Sequence, residues 1–288
     1  MLNKKICIGT AQFGMNYGIS NIGGKTKNNE LNKIFSILDK KNINFLDTSM
    51  NYGDSYKVLK KYNLKNFNII SKIPQISKTD QVEKLICKKV LLSLKKLKID
   101  SFYGILLHNQ DDMMSSNSDK IYKSLNKLKK DNKIKKIGLS IYNFDDAIKI
   151  LKKYKFDIIQ CPYNVIDRRM EKPSFKKFII KNKIEIHVRS IFMQGLLLMK
   201  KRPLKFKKYK KIFQEWDKIT YKNRINSVLH SLNFVMQNKM ISKIIIGVEN
   251  SNQLKDILNN YKKLKYDYSK KIISMDINLI NPNNWSKL

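Results

Sequence analysis

The sequence predicts an α/β protein in which eight parallel strands, each followed by a helix, close into a barrel. Three observations carry this. Short apolar runs alternate with longer amphipathic segments from one end to the other. The apolar runs number eight. Several of them, FYGILL at 102–107 and KIIIGV at 243–248 among them, are almost continuously apolar, as strands covered on both faces must be. Together they describe a (β/α)8 TIM barrel, and 288 residues is ample for one.

In order, the expected strands are 5–8, 44–46, 67–71, 102–107, 136–139, 158–161, 184–188 and 244–246. Helical spacing of apolar residues predicts helices at 29–41, 79–97, 120–130, 145–153, 174–181, 225–237 and 252–263. The pattern is clearest in 79–97, where Val82, Leu85, Ile86, Val90, Leu94 and Leu97 share one face and lysines take the other. The ten glycines never form GxGxxG after a strand, so a Rossmann domain has no support. With no linker, low-complexity tract or shift of composition, residues 1–288 read as a single domain, and 266–288 as an extension packed on the barrel.

At 42% hydrophobic and 10% aromatic residues, the chain can bury a full core despite a formal net charge of +36. That charge invites a nucleic-acid reading, but only five of the 59 basic residues are arginine (Arg168, Arg169, Arg189, Arg202 and Arg224). Planar recognition of phosphates and bases favours arginine, and the lysines are spread along the whole chain. Nucleic-acid binding is therefore not expected as the main function. Cys7, Cys87 and Cys161 form no CxxC pair, which argues against disulfides or a metal site. The apolar stretch near the first residue is too short for a signal-peptide core, and no uncharged run has the roughly 18 to 20 residues of a membrane span. The expected location is the cytoplasm, as a monomer or weak homo-oligomer.

In such barrels, polar residues at the C-terminal ends of strands converge on one site. Asp47 ends the second strand, Tyr52 follows five residues later, Lys72 ends the third and His108 the fourth. The tyrosine hydroxyl, titrating near 10, is a poor proton donor until neighbours tune it. An ammonium at Lys72 favours phenolate, Asp47 keeps Lys72 charged, and His108 suits a hydrogen bond to a substrate oxygen. The set suits carbonyl reduction, with hydride arriving at carbon and a proton at oxygen. Protein side chains supply no hydride, so a nicotinamide cofactor is implied.

The motifs GTAQFG (9–14), DTSMNYG (47–53), SK (71–72), LLH (106–108), IGLSIYN (137–143), IIQCPYN (158–164), RSIFMQG (189–195) and IIGVENSNQL (245–254) come in order, one per strand. In this order they resemble the aldo-keto reductases over nearly the whole chain. The resemblance implies an NAD(P)H-dependent oxidoreductase with Asp47, Tyr52, Lys72 and His108 as catalytic tetrad and Tyr52 as general acid. It places Thr10 and Asp47 by the nicotinamide ribose, Ser140 and Gln160 on the carboxamide, Ser190 and Phe192 along the pyrophosphate, and the loop from Gly247 to Gln253 around the adenosine phosphate. Helix-start amides in that loop suit an anion.

Three departures from the family pattern stand out. Ile141 replaces a frequent asparagine. Arg189 replaces an aromatic ring, although a planar guanidinium also stacks, here expected on the nicotinamide. Gly247, Val248 and Gln253 stand where NADPH-selective members often carry Lys, Ser and Arg. Glu249 repels a 2′-phosphate and Lys255 alone attracts it, so selectivity is expected to be weak, with NADPH still slightly preferred because the surrounding protein is so basic, and NADH possible.

The substrate is expected to be a small carbonyl compound walled by Met15, Asn16, Tyr17, Met50, Asn51, Asn109 and Gln110. RSIFMQGLL resembles reductases found with bacterial surface-sugar synthesis, which points to a sugar or sugar derivative. The alternative reading is a nicotinamide-binding regulatory or redox-sensing barrel with little turnover. His187 and His230 read as structural, Arg168 and Arg169 as a solvated pair, and the lysine-rich stretch 200–211 as an exposed loop and helix face.

Overall fold

A computed structural model describes residues 2–76, 81–222, 226–259, 261 and 272–288. Eight strands pair in parallel and in sequence order into a closed barrel. They are β1 (Ile6–Gly9), β2 (Phe45–Asp47), β3 (Asn68–Ile73), β4 (Phe102–Leu107), β5 (Ile134–Ser140), β6 (Ile158–Pro162), β7 (Glu185–Arg189) and β8 (Ile241–Gly247). Closure runs through β1 and β8, where Ile8 faces Ile246 and Gly9 faces Gly247.

The period of two in each strand sorts side chains into two populations. Cys7, Phe45, Ile70, Leu106, Ile158 and Ile245 point inward and form a small cluster that plugs the barrel. Their neighbours Ile6, Ile8, Leu46, Ile69, Ile105, Ile137, Ile159 and Ile244 point outward into the large core shared with the helices. Beneath the plug, a polar floor joins Tyr103 and Lys136 to Glu185, with the buried His187 against Glu185. Above it, the inward positions are polar again, and these carry the site.

The longer helices are α1 (Asn28–Lys40), α2 (Val82–Leu97), α3 (Ser118–Lys130), α4 (Phe144–Lys153), α5 (Pro173–Lys181), α6 (Lys210–Lys222), α7 (Ser227–Gln237) and α8 (Ser251–Asn259). Their starts have local causes. The Asn143 side chain accepts the amides of Asp145 and Asp146 and caps α4, with acids in the first turn and Lys152 and Lys153 in the last, as the helix dipole favours.

All eight expected strands are present, shifted by up to three residues at their ends. The lysines of the stretch 200–211 are all exposed, on a loop and the start of α6, and beyond them α6 buries Phe213 and Trp216, whose indole N–H donates to the Leu197 carbonyl at 2.9 Å. Lysines mask that apolar stripe in composition, but they sit on its outer face. The expected helix residues 79–80, 225, 260 and 262–263, residues 266–271 of the expected extension, and Arg224 lie outside the described residues. Residues 272–288 pack on the barrel: Leu279, Ile280 and Trp285 are buried, and Asp276 accepts the Tyr209 hydroxyl at 2.7 Å. Among the described residues, no helix is long and apolar enough to cross a membrane, and no His, Cys, Asp and Glu cluster fit to hold a metal ion occurs.

Candidate active site

Asp47 closes β2, Lys72 lies one residue before the end of β3, and His108 follows β4 directly, so three strands deliver side chains to the same end of the barrel. Tyr52 comes from the loop after β2, and glycines fix that loop. At Gly14 a Cβ would fall 2.0 Å from the Tyr52 carbonyl oxygen and 2.2 Å from the Ser55 nitrogen. Gly53 has φ +50, and a Cβ there would meet the Gly14 oxygen at 2.5 Å. The two segments touch through bare backbone, which holds Tyr52 over the barrel mouth.

Lys72 uses its three ammonium N–H groups on three acceptors: Asp47 Oδ2 at 2.5 Å, the Thr48 carbonyl at 3.1 Å and the Tyr52 hydroxyl oxygen at 3.3 Å. The Lys72 and Asp47 side chains are only 1% and 3% exposed. Burial alone would depress the Lys72 ammonium, but Asp47 and Tyr52 outweigh it and hold its pKa above the ordinary lysine value. With Lys72 donating to its oxygen, the Tyr52 hydroxyl keeps its own proton for another acceptor. The sequence suggests a phenol made more acidic by Lys72. In the fold, burial pushes it above its ordinary value more strongly than Lys72 pulls it down, so it stays protonated throughout the neutral range.

His108 stands edge-on to the Tyr52 ring, centroids 6.1 Å apart. Burial, then Lys72 and Arg189, pull it down to about 4, so it is neutral at pH 7. Its Nδ1 lies 3.3 Å from the Ser49 hydroxyl, which also accepts the Asn51 amide at 3.2 Å. When Ser49 donates to Nδ1, the ring carries its proton on Nε2, the tautomer able to donate to a substrate oxygen. Sequence reasoning passed over Ser49; its position inside DTSMNYG, between Asp47 and Tyr52, is the signal that could have found it.

From Tyr52 and Asp47 a cleft of about 250 Å³ runs past Gln160, Arg189, Ser190 and Phe192 to Gly247 and Gln253. Eight of the twelve proposed site residues therefore share one wall. Lys72 lies under Tyr52, and His108 beside it. Thr10 and Ser140 do not line the cleft. Thr10 turns its hydroxyl back to the Asp47 carbonyl (3.2 Å) and Ser55 (2.8 Å), bracing the strand that carries Asp47. Ser140 sits buried beside Gln160 in register. Gln160 donates its Nε2 to Asp47 Oδ1 at 2.8 Å, while its buried Oε1 has no partner. Such an acceptor, fully buried in a cleft wall, fits a carboxamide N–H of a bound nicotinamide.

Arg189 is partly open to the cleft. Its guanidinium covers the Tyr142 ring at 4.1 Å and donates to the Ile141 carbonyl at 3.1 Å. One planar face is thus taken by Tyr142. Arg169 is not a solvated surface group: it pairs with Asp167 and donates to the Tyr142 carbonyl at 2.7 Å. Of the expected wall residues, Tyr17 alone lines the cleft, joined by Gln12, Ser20 and Gln194. Gln110 instead accepts the Tyr142 and Asn143 amides at 2.8 and 2.9 Å, and Asn109 caps its own loop, so both serve loop structure. A larger depression of about 660 Å³ lies between Tyr142 and Asn281. Of its three basic residues, Arg169 and Lys172 are already paired with Asp167 and Asp145, and it lacks the buried acid–base chain.

The family model described as the aldo/keto reductase family matches residues 5–275. A solved aldo-keto reductase from Bacillus halodurans, in its holo form, superposes with a TM-score of 0.74 at 17% identity over 94% of each chain. A candidate aldo-keto reductase from Pseudomonas aeruginosa gives 0.66 at 19% identity over 88% of each chain. At those identities the structural likeness is one of fold. No curated protein matches the chain in sequence.

Proposed function

The chain belongs to the aldo/keto reductase family, a family of NAD(P)H-dependent oxidoreductases, and from that premise we propose that it reduces an aldehyde or ketone with Tyr52 as proton donor. The observation that carries this reading is the buried chain Asp47–Lys72–Tyr52 opening into the cleft. Gln160, with its free Oε1, and Ser190, Phe192, Gly247 and Gln253 along the wall are the residues that would hold the dinucleotide. When bound, the reduced nicotinamide supplies the hydride to the carbonyl carbon.

The protein's own residues handle the proton. A substrate oxygen beside Tyr52 and His108 accepts a hydrogen bond from each. As negative charge grows on that oxygen, the Tyr52 proton moves to it. The phenolate left behind sits 3.3 Å from an ammonium already oriented by Asp47, so no rearrangement is needed at that moment. Thr10, Ser49 and Gln160 position Asp47 and His108 and do not transfer protons. Polar groups of Gln12, Tyr17, Ser20 and Gln194 along the cleft suit a hydroxylated substrate, in keeping with a sugar or sugar derivative. An intact proton-donating chain disfavours the alternative of a regulatory barrel with little turnover.

The test is Tyr52→Phe, which keeps the ring and removes the proton. Dinucleotide binding should persist while the reduction rate falls by about 10² to 10⁴. A variant that reduces a good substrate at near wild-type rate removes Tyr52 from the role.

A further inference from the structure

We propose that this chain selects NADH over NADPH, through Glu249 and Asp256 at the end of the cleft remote from Tyr52. This rests on the reading above: with the nicotinamide beside Tyr52 and Gln160, the adenosine falls at the far end, lined by Gly247, Glu249, Gln253, Asp256 and Ile257. The two cofactors differ there by one ribose phosphate, a group carrying close to two negative charges at neutral pH. It needs cations or free N–H donors to hold it.

Among the described residues, no lysine or arginine lines that end. In a protein of net charge +36, Arg189, near Tyr52, is the one lysine or arginine lining the cleft among the described residues. Lys255 lines a different crevice with Lys33, Ser36 and Lys40, on the side of α8 that faces α1. Three of the loop's backbone amides are already taken. The Glu249 amide donates to Gln253 Oε1 at 2.9 Å and the Gln253 amide to Asn250 Oδ1 at 2.9 Å. The Ser251 amide and hydroxyl both go to one oxygen of Glu30, at 2.8 and 2.7 Å. Hydrogen bonds from Lys33 and Ser251 hold Glu30 down to about 2, so it is ionised. A carboxylate thus already stands at the start of α8, where the helix dipole would otherwise favour a phosphate. Glu249 and Asp256 add like charge, and a carboxylate is an acceptor suited to ribose hydroxyls.

The experiment is an equilibrium titration of the full-length protein with NADH and with NADPH, followed calorimetrically, for wild type, Glu249→Gln and Glu249→Gln/Asp256→Asn. Wild type should bind NADH about tenfold tighter, and high salt should narrow the gap. The double substitution should shrink the ratio by about threefold or more, chiefly by tightening NADPH. Equal or tighter NADPH binding by wild type, or variants that change both cofactors alike, overturns the inference while leaving the oxidoreductase reading intact. Binding of neither dinucleotide overturns both.

Discussion

Replacing Lys72 by methionine tests the buried pair at the heart of the site, because methionine fills similar volume without the ammonium. Asp47 then keeps the 2.8 Å bond from Gln160 but loses the 2.5 Å bond from Lys72, in a site where its side chain is 3% exposed. Removing one partner of a buried ion pair typically costs about 3 to 5 kcal/mol, because the other charge stays behind without compensation. For a chain of this size that corresponds to a drop in Tm on the order of 10 °C. Removing both charges in Asp47→Leu/Lys72→Met relieves the penalty, and the double variant should recover to within about 2 kcal/mol of wild type. The Lys72 pKa is raised in the fold, so its contribution is complete below about pH 10.5 and disappears only as pH rises through the folded value. Chemical denaturation from pH 6 to 9 should therefore return a constant difference. A loss below about 1 kcal/mol in Lys72→Met, or a double variant less stable than the single one, refutes this account of the pair.

His108, held down to about 4, is less readily protonated in the fold than in the unfolded chain; it stabilises fully above about pH 6.5 and loses that contribution between pH 6.5 and 4, by at most about 3 kcal/mol. Asp112, pushed up to about 6 by burial, acts in the opposite sense, so the readout is the pH dependence of the stability difference between wild type and His108→Gln, which should change across that window and be flat above it. Gly14→Ala puts a methyl group 2.0 Å from the Tyr52 backbone, where no flexible side chain can yield; it should cost about 2 kcal/mol or more and lower the reduction rate, and a variant normal in both melting and turnover contradicts the close approach.

The barrel was legible because its signal is local: every strand carries its own apolar run, and eight in alternation with helices admit few arrangements. That Asp47, Tyr52, Lys72 and His108 come together was legible for a related reason, since they stand at strand ends or within one loop. What stayed hidden depends on distant contacts. Glu30 meets Ser251 across 221 positions of sequence, and nothing near either residue announces it. Lys255 is close in sequence to the loop from Gly247 to Gln253 yet faces α1, because one turn of a helix separates its two sides. Gln110 has the look of a substrate contact, but its amide is consumed by the loop after β5. The net shift of Tyr52 is a contest between burial and charge that residue types alone do not decide.

The most direct test of the central claim follows the transferred atom. A panel of aldehydes, ketones and aldoses is incubated with wild type and Tyr52→Phe and with NADH or NADPH carrying deuterium at the transferable C4 position, and the products are read by mass spectrometry. The account predicts one deuterium on the carbinol carbon of at least one product with wild type, and transfer slowed by about 10² or more in Tyr52→Phe although the dinucleotide still binds. Deuterium transfer undiminished in Tyr52→Phe, or absent from every product while the dinucleotide is bound, contradicts it.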